Sequence, residues 1–160
     1  MAVKDIFNFM PITEQISTGG QPTQQQFESV HKEGYTAVIN LAPSDAENNA
    51  LEGEEELLAS LGLDYFHIPM VWEDPKPEQY VAFCEAMKKL ENKKVLVHCA
   101  ANYRVSAVVS SYAIKNLGWS VEQADGLVNK IWTSNPEYSM NDTWQSYIDA
   151  IRQSPSDDDV

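Results

Sequence analysis

The sequence predicts an α/β domain, with a central, mostly parallel sheet flanked by helices and a helical C-terminal third. Three observations predict it. Short β-branched, apolar runs (YTAVINLA, LDYFHIPM and KKVLVHC) alternate with stretches of helical periodicity. Turn signals separate them: Gly34, Gly62 and the two prolines of VWEDPKP. After Gly118 no strand pattern recurs, and two helical patterns follow.

The elements read in order as follows. ISTGG is a short strand, and QPTQQQFESVHKEG a helix capped by Thr23 and ended by Gly34. YTAVINLA is a buried strand. PSDAENNALEGEEELLASLG is a polar loop running into an acidic helix that stops at Gly62, and LDYFHIPM is the next strand. The prolines make VWEDPKP a loop. From Pro77, EQYVAFCEAMKKL gathers Tyr80, Val81, Phe83, Cys84, Met87 and Leu90 near one helical face. KKVLVHC is a further apolar strand, and VSAVVSSYAIKNLG a helix closed by Gly118. SVEQADGLVNKIW and MNDTWQSYIDAIRQ are the two last helices. At 160 residues the chain predicts one domain, residues 1–153, with SPSDDDV (154–160) as a disordered acidic tail.

A net charge of −13 argues against nucleic acid or anionic membrane as partners, so any anion site must be locally electropositive. Cys84 and Cys99 make no disulfide framework, no C-x-x-C pair suggests zinc, and neither a metal nor a cofactor is expected. MAVKDIFNFMPITEQ has no uninterrupted apolar segment and no cleavage pattern, and no apolar run is long enough to span a bilayer. A cytoplasmic protein is expected, a removed leader aside.

VLVHCAANYRVSAVV, residues 95–109, carries the chemistry. An apolar strand delivers His98 and Cys99, a small loop follows, and helical spacing then resumes. A helix N-terminus offers unpaired N–H groups and a positive dipole end, which together hold an anion. A thiol there loses its proton more easily, its pKa falling from about 8.5 to roughly 3.5–7.5, and the thiolate is the nucleophile. Arg104, one of only two arginines, has a planar fork suited to two oxyanion oxygens. Ser106 is placed to donate a hydrogen bond to the sulfur. These are the parts of two-step covalent catalysis.

On these residues the chain resembles the cysteine-dependent phosphatases of the protein tyrosine and dual-specificity type, whose signature is His-Cys, five residues, Arg, then Ser or Thr. STGGQPTQQQFESVHKEGYTAVINLAP is similar to the opening of bacterial dual-specificity-like members, so the resemblance covers roughly residues 15–117. The pattern H-C-x-x-N-x-R-x-S is that of an uncharacterised bacterial subgroup. The resemblance implies a phosphatase-like fold and a phosphate cradle made by Ala100, Ala101, Asn102, Tyr103, Arg104 and Val105, with His98 as a buttress. It also implies a phosphorylated substrate or other oxyanion as the partner. The spacing departs from the signature, because four residues separate Cys99 from Arg104 while Ser106 keeps its usual distance. Either the loop is one residue tighter with Arg104 aimed at phosphate, or Val105 takes the usual Arg position and Arg104 is displaced by about 100° of helix. The general acid implied on the preceding loop falls in VWEDPKP, with Asp74 ahead of Glu73.

Three functions fit the sequence. The leading one is a phosphomonoesterase working through a cysteinyl-phosphate on Cys99. The second is a pseudophosphatase that binds an oxyanion without turnover, and the third a rhodanese-like sulfurtransferase. Glu52, Glu54, Glu55 and Glu56 read as a solvated helix face, Cys84 as core, His31 and His67 as surface and strand residues, and Trp119, Trp132 and Trp144 as packing residues. Gly19, Gly20 and Gln21 are in reach of the site.

Overall fold

The computed structural model describes residues 2–43, 51–133 and 140–154. Five strands form one sheet: β1 (Met10–Pro11), β2 (Ile16–Gly19), β3 (Ala37–Asn40), β4 (Asp64–His67) and β5 (Val95–His98), in the order β1-β2-β5-β3-β4. All pairings are parallel except β1 with β2. The mostly parallel sheet flanked by helices expected from the sequence is therefore the fold. AVIN and VLVH are buried at every position, as befits parallel strands with both faces covered.

Strand alternation sorts side chains between two cores. Ala37, Ile39, Val95 and Val97 point to the larger one, formed with the helices α3 (Pro77–Lys89), α4 (Tyr103–Asn116), α5 (Val121–Trp132) and α6 (Asp142–Gln153). Val38 and Leu96 point to the other, with Phe27 and Val30 of α1 (Gln24–Lys32), Leu58 of α2 (Glu54–Ser60) and Val3 and Ile6 of an N-terminal 3-10 turn, Val3–Asp5. The period of two carries past the end of β5, so His98 meets Phe27 on the α1 side while Cys99 joins the α4 side.

Helix ends follow the sequence signals. Thr23 and Ser120 cap α1 and α5 in reciprocal boxes with Gln26 and Gln123. Asn141 accepts from the Trp144 N–H to start α6, and Pro77 opens α3, where its missing N–H costs nothing. Gly34 and Gly118 follow α1 and α4 at φ +93 and +74.

Two expectations need correction, Val81 and Glu54, and two short elements lie where the sequence carried no reading. The N-terminal fifteen residues carry a 3-10 turn and β1, both too short to leave a period in sequence; β1 is an edge strand, where Pro11 costs no ladder bond. Val81 is half exposed and lies off the buried face of α3. Glu54 is buried in a network and does not belong to the solvated face of α2. The acidic tail, apart from Ser154, lies outside the described residues, as does most of the loop before α2. No helix among the described residues is long and apolar enough to cross a membrane.

Adjacent parallel strands β2 and β5 end in register, Gly19 beside His98, and beyond that point the backbones stay in contact. Cys99 N donates to Gly19 O at 3.3 Å and Gln21 N to Ala100 O at 3.0 Å. A Cβ at Gly20 would lie 2.8 Å from Ala100 O and 3.1 Å from Phe7 O, both backbone atoms. Gly20→Ala is expected to lower stability by about 1–3 kcal/mol, read as a drop in the urea midpoint at unchanged slope.

Candidate active site at the end of β5

The site begins at the carboxyl end of β5, where open parallel sheets bind ligands. Cys99 has no exposed surface and Arg104 is 4% exposed. Asn102 caps α4 with φ 72, a left-handed conformation that Asn tolerates. An isolated antiparallel bridge joins Gly20 to Ala101 just before this turn. Val105 is fully buried in the larger core, while the Arg104 guanidinium lies against the Trp72 indole, 5.4 Å from its centroid.

Three consecutive loop carbonyls have donors. His98 Nδ1 lies 3.2 Å from Cys99 O, Gln21 N donates to Ala100 O at 3.0 Å, and Asn8 Nδ2 donates to Ala101 O at 2.9 Å. In a planar trans peptide the next N–H points opposite to the carbonyl. The N–H groups of Ala100, Ala101 and Asn102 are therefore turned away from these donors.

His98 is fully buried and its Nε2 lies 2.8 Å from Glu54 Oε2. Glu54 also receives Gln21 Nε2 at 2.7 Å and the Tyr65 hydroxyl, which itself accepts from Asn40 Nδ2 at 3.0 Å. Burial alone would push the Glu54 carboxyl up. The hydrogen bond and charge of His98, with the bonds from Gln21 and Tyr65, outweigh burial and hold it below its ordinary value. Burial first, and then the charge of Glu54, pushes the Tyr65 phenol far above its usual range, so it remains a donor.

Ser106 departs from its expected role. Its hydroxyl donates to Tyr103 O at 3.0 Å and accepts from Trp132 Nε1 at 3.1 Å. Its single proton ties off the first turn of α4 and is not directed at the sulfur. Asp74 is also placed differently. Its carboxylate pairs with Lys76 at 2.7 Å, both side chains more than half exposed, and Glu73 is exposed. The residue that this segment presents to the loop is Trp72. Its ring stacks on Trp132 at 5.3 Å and meets Tyr103 at 6.2 Å. Trp144 Nε1 donates to Trp72 O at 2.8 Å and Tyr147 Oη to Lys76 O at 2.7 Å, which fastens the segment to α6.

Next to Ala100 opens a cavity of about 330 Å³, walled by Gln21, Glu52, Glu54, Glu55, Glu56 and Tyr65 among others. Its wall is strongly acidic, in contrast to the loop. Among the described residues, no cluster of three or more His, Cys, Asp or Glu is arranged to hold a metal ion. Sequence reasoning missed Asn8 and Glu54. Neither has a motif; the one available signal for Glu54 was its place just after Gly53, where the chain turns into α2.

Removing the charge from Glu54 takes the carboxylate away from the buried His98 ring, at a cost of about 1–3 kcal/mol. A carboxyl held below its ordinary value of 4.5 stabilises the fold above that value, and this contribution is lost as pH falls through the folded-state value. Glu54→Gln is therefore expected to be less stable than the native chain at pH 7. The gap between their urea midpoints should close on acidification below about pH 4.

A family model described as DSP-PTPase phosphatase fused to NAD+ Kinase matches residues 10–146. Over 95 residues the chain is 32% identical to the beta-lactamase hydrolase-like protein of Xylella fastidiosa Temecula1. That match takes 58% of this chain and 22% of the relative, so the chain spans about a fifth of the length of the curated relatives it matches. A DUF442 protein of Shewanella putrefaciens CN-32, solved by crystallography, is 32% identical with a TM-score of 0.80, covering 93% of each chain. At 16% identity, the core catalytic domain of the PP-IP phosphatase Siw14 from S. cerevisiae shares the fold. Its TM-score is 0.73, over 96% of this chain and 88% of that one.

Proposed function

The chain belongs to the family described as DSP-PTPase phosphatase fused to NAD+ kinase, and from that premise we propose that it hydrolyses phosphomonoesters through a cysteinyl-phosphate on Cys99. The observation that carries the reading is the placement of buried Cys99 at the carboxyl end of β5, directly before the N-terminus of α4 and its buried Arg104. In the first step the Cys99 thiolate attacks phosphorus, the S–P bond forms and the ester P–O bond breaks. The departing oxygen takes a proton from an acid, for which Asp74 serves once it releases Lys76. In the second step water attacks phosphorus, gives its proton back to that carboxylate, and the S–P bond breaks to return the thiolate and orthophosphate. The loop amides and Arg104 stabilise the equatorial oxygens throughout. A location in the cytoplasm agrees with the use of a free thiol.

The acidic cavity beside Ala100 bears on the substrate. A monoester presents one dianionic group to the loop, whereas a polyphosphate would set further negative charge against Glu52, Glu55 and Glu56. We therefore assign the site to monophosphates whose remainder is neutral or cationic. The expected result is turnover of an aryl monophosphate with at least tenfold lower kcat/KM for an inositol polyphosphate, a ratio that narrows as salt screens the cavity.

Cys99→Ser is expected to abolish turnover while retaining oxyanion binding, and Arg104→Lys to lower kcat/KM about 100-fold by loss of the fork. Steady-state assays with an aryl phosphate check both, and turnover that survives Cys99→Ser removes the covalent mechanism. The second reading, an oxyanion-binding module without turnover, is favoured by the buried sulfur and by the Asp74–Lys76 pair at the surface. Tight tungstate binding by a native chain that turns over nothing in a broad panel of phosphomonoesters would establish it instead.

A further inference from the structure

In the N-terminal segment Ile6 is 2% exposed and Phe9 packs against the core on the α1 side, whereas Phe7 between them is 59% exposed. A single apolar residue at a surface is ordinary; the place of this one is not. β1 runs antiparallel to β2 with Met10 opposite Thr18, so the residues before Met10 continue past the carboxyl end of β2. That end lies beside the carboxyl end of β5, Gly19 opposite His98. Phe7 is thereby carried to the end of the sheet where the loop of Cys99 stands and where such sheets bind ligands.

Backbone contacts hold it there. Phe7 O accepts from Gly20 N at 2.7 Å, and Gly20 is bridged to Ala101. Asn8, the next residue, donates through Nδ2 to Ala101 O at 2.9 Å and accepts through its carbonyl from Asn102 Nδ2 at 2.8 Å. The ring itself reaches the same junction. The point where a Cβ on Gly20 would stand is 3.1 Å from Phe7 Cδ2 and 2.8 Å from Ala100 O. A ring on a backbone fixed in this way loses little freedom when a flat ligand meets it.

We propose that Phe7 is a specificity-determining residue: its ring forms an apolar wall beside the loop, against which the aromatic remainder of an aryl phosphomonoester lies. The inference rests on the phosphatase reading of Cys99 and names a substrate class for it. The acidic cavity that also adjoins Ala100 selects by charge. Phe7 selects by shape and apolar surface, since two aromatic rings attract in offset or edge-to-face geometry. A polyol remainder gains nothing from such a wall.

Phenylphosphonate and methylphosphonate carry the same anionic group on an aryl and an alkyl remainder, and neither has an ester bond to hydrolyse. Calorimetry gives the ratio of their affinities for the native chain, Phe7→Ser and Phe7→Tyr, with thermal melting to check the fold. The native chain should prefer phenylphosphonate. Phe7→Ser should narrow that preference about tenfold, and Phe7→Tyr, which keeps the ring, should restore most of it. The native complex should also show a nuclear Overhauser contact between the phenyl protons and the Phe7 ring.

Equal native affinity for the two phosphonates, or an unchanged ratio in folded Phe7→Ser, overturns the role of Phe7 and leaves the phosphatase reading intact. If Phe7→Ser fails to fold, the native complex decides alone: phenylphosphonate bound with no contact to the Phe7 ring overturns the inference. A native chain that binds neither phosphonate overturns the phosphatase reading itself, and this one with it.

Discussion

Every buried peptide carbonyl needs a donor, and at Cys99, Ala100 and Ala101 that need sets the geometry of the site. These residues run between a strand buried on both faces and the first turn of α4, and ladder bonds have ended there. Donors come from three directions: the His98 ring, the backbone of Gln21 and the side chain of Asn8. Because each peptide is planar, fixing the carbonyls also fixes the amides that follow them. Much of the surrounding structure follows from this. Gly20 lacks a side chain because Ala100 O and Phe7 O occupy the place of a Cβ. The GGQ turn stays close to β5 because its backbone serves as a donor.

Under the proposed function the same arrangement would let a chain of net charge −13 host an anion. Local preorganised dipoles act at contact distance, where long-range repulsion is screened within about 10 Å at ordinary ionic strength. To them are added the N-terminus of α4, the Arg104 guanidinium and the His98 ring. Glu54 lies behind His98 and keeps it in place, so one of the many carboxylates serves the site from the side away from the loop. The remaining glutamates wall the neighbouring cavity. Under the proposed function their charge would discriminate among anions without excluding one phosphate at the loop.

The sheet and the helices were legible because they are consequences of periodicity. AVIN and VLVH read as buried strands and are buried on both faces; Thr23, Gly34 and Gly118 read as helix ends and fulfil that role. The place of the loop was legible because an apolar strand precedes it and helical spacing follows it. What escaped is whatever depends on side-chain partners from elsewhere in the chain. Glu54 stands among four glutamates that look alike in sequence, and only the meeting of α2 with the end of β5 selects it. Asn8 looks like a turn residue. Spacing alone pairs Ser106 with the sulfur, whereas in the fold Tyr103 O takes its proton. Asp74 was chosen by position on its loop, and the loop turns Trp72 inward instead.

That inward turn gives the C-terminal third a place in the site. Trp72 lies on Trp132 of α5, accepts through its carbonyl from Trp144 of α6, and covers Arg104 with its ring. An indole face attracts a guanidinium by its quadrupole, the more so where water is excluded. Arg104 thus lies under a cover, while the neighbouring Val105 is buried in the core. The segment carrying Asp74 and the arginine of the loop share one aromatic cluster, and a movement that carries Asp74 inward must also shift Trp72 on Arg104. The helices α5 and α6, which bear no motif of their own, set the resistance to that movement through Trp132, Trp144 and Tyr147.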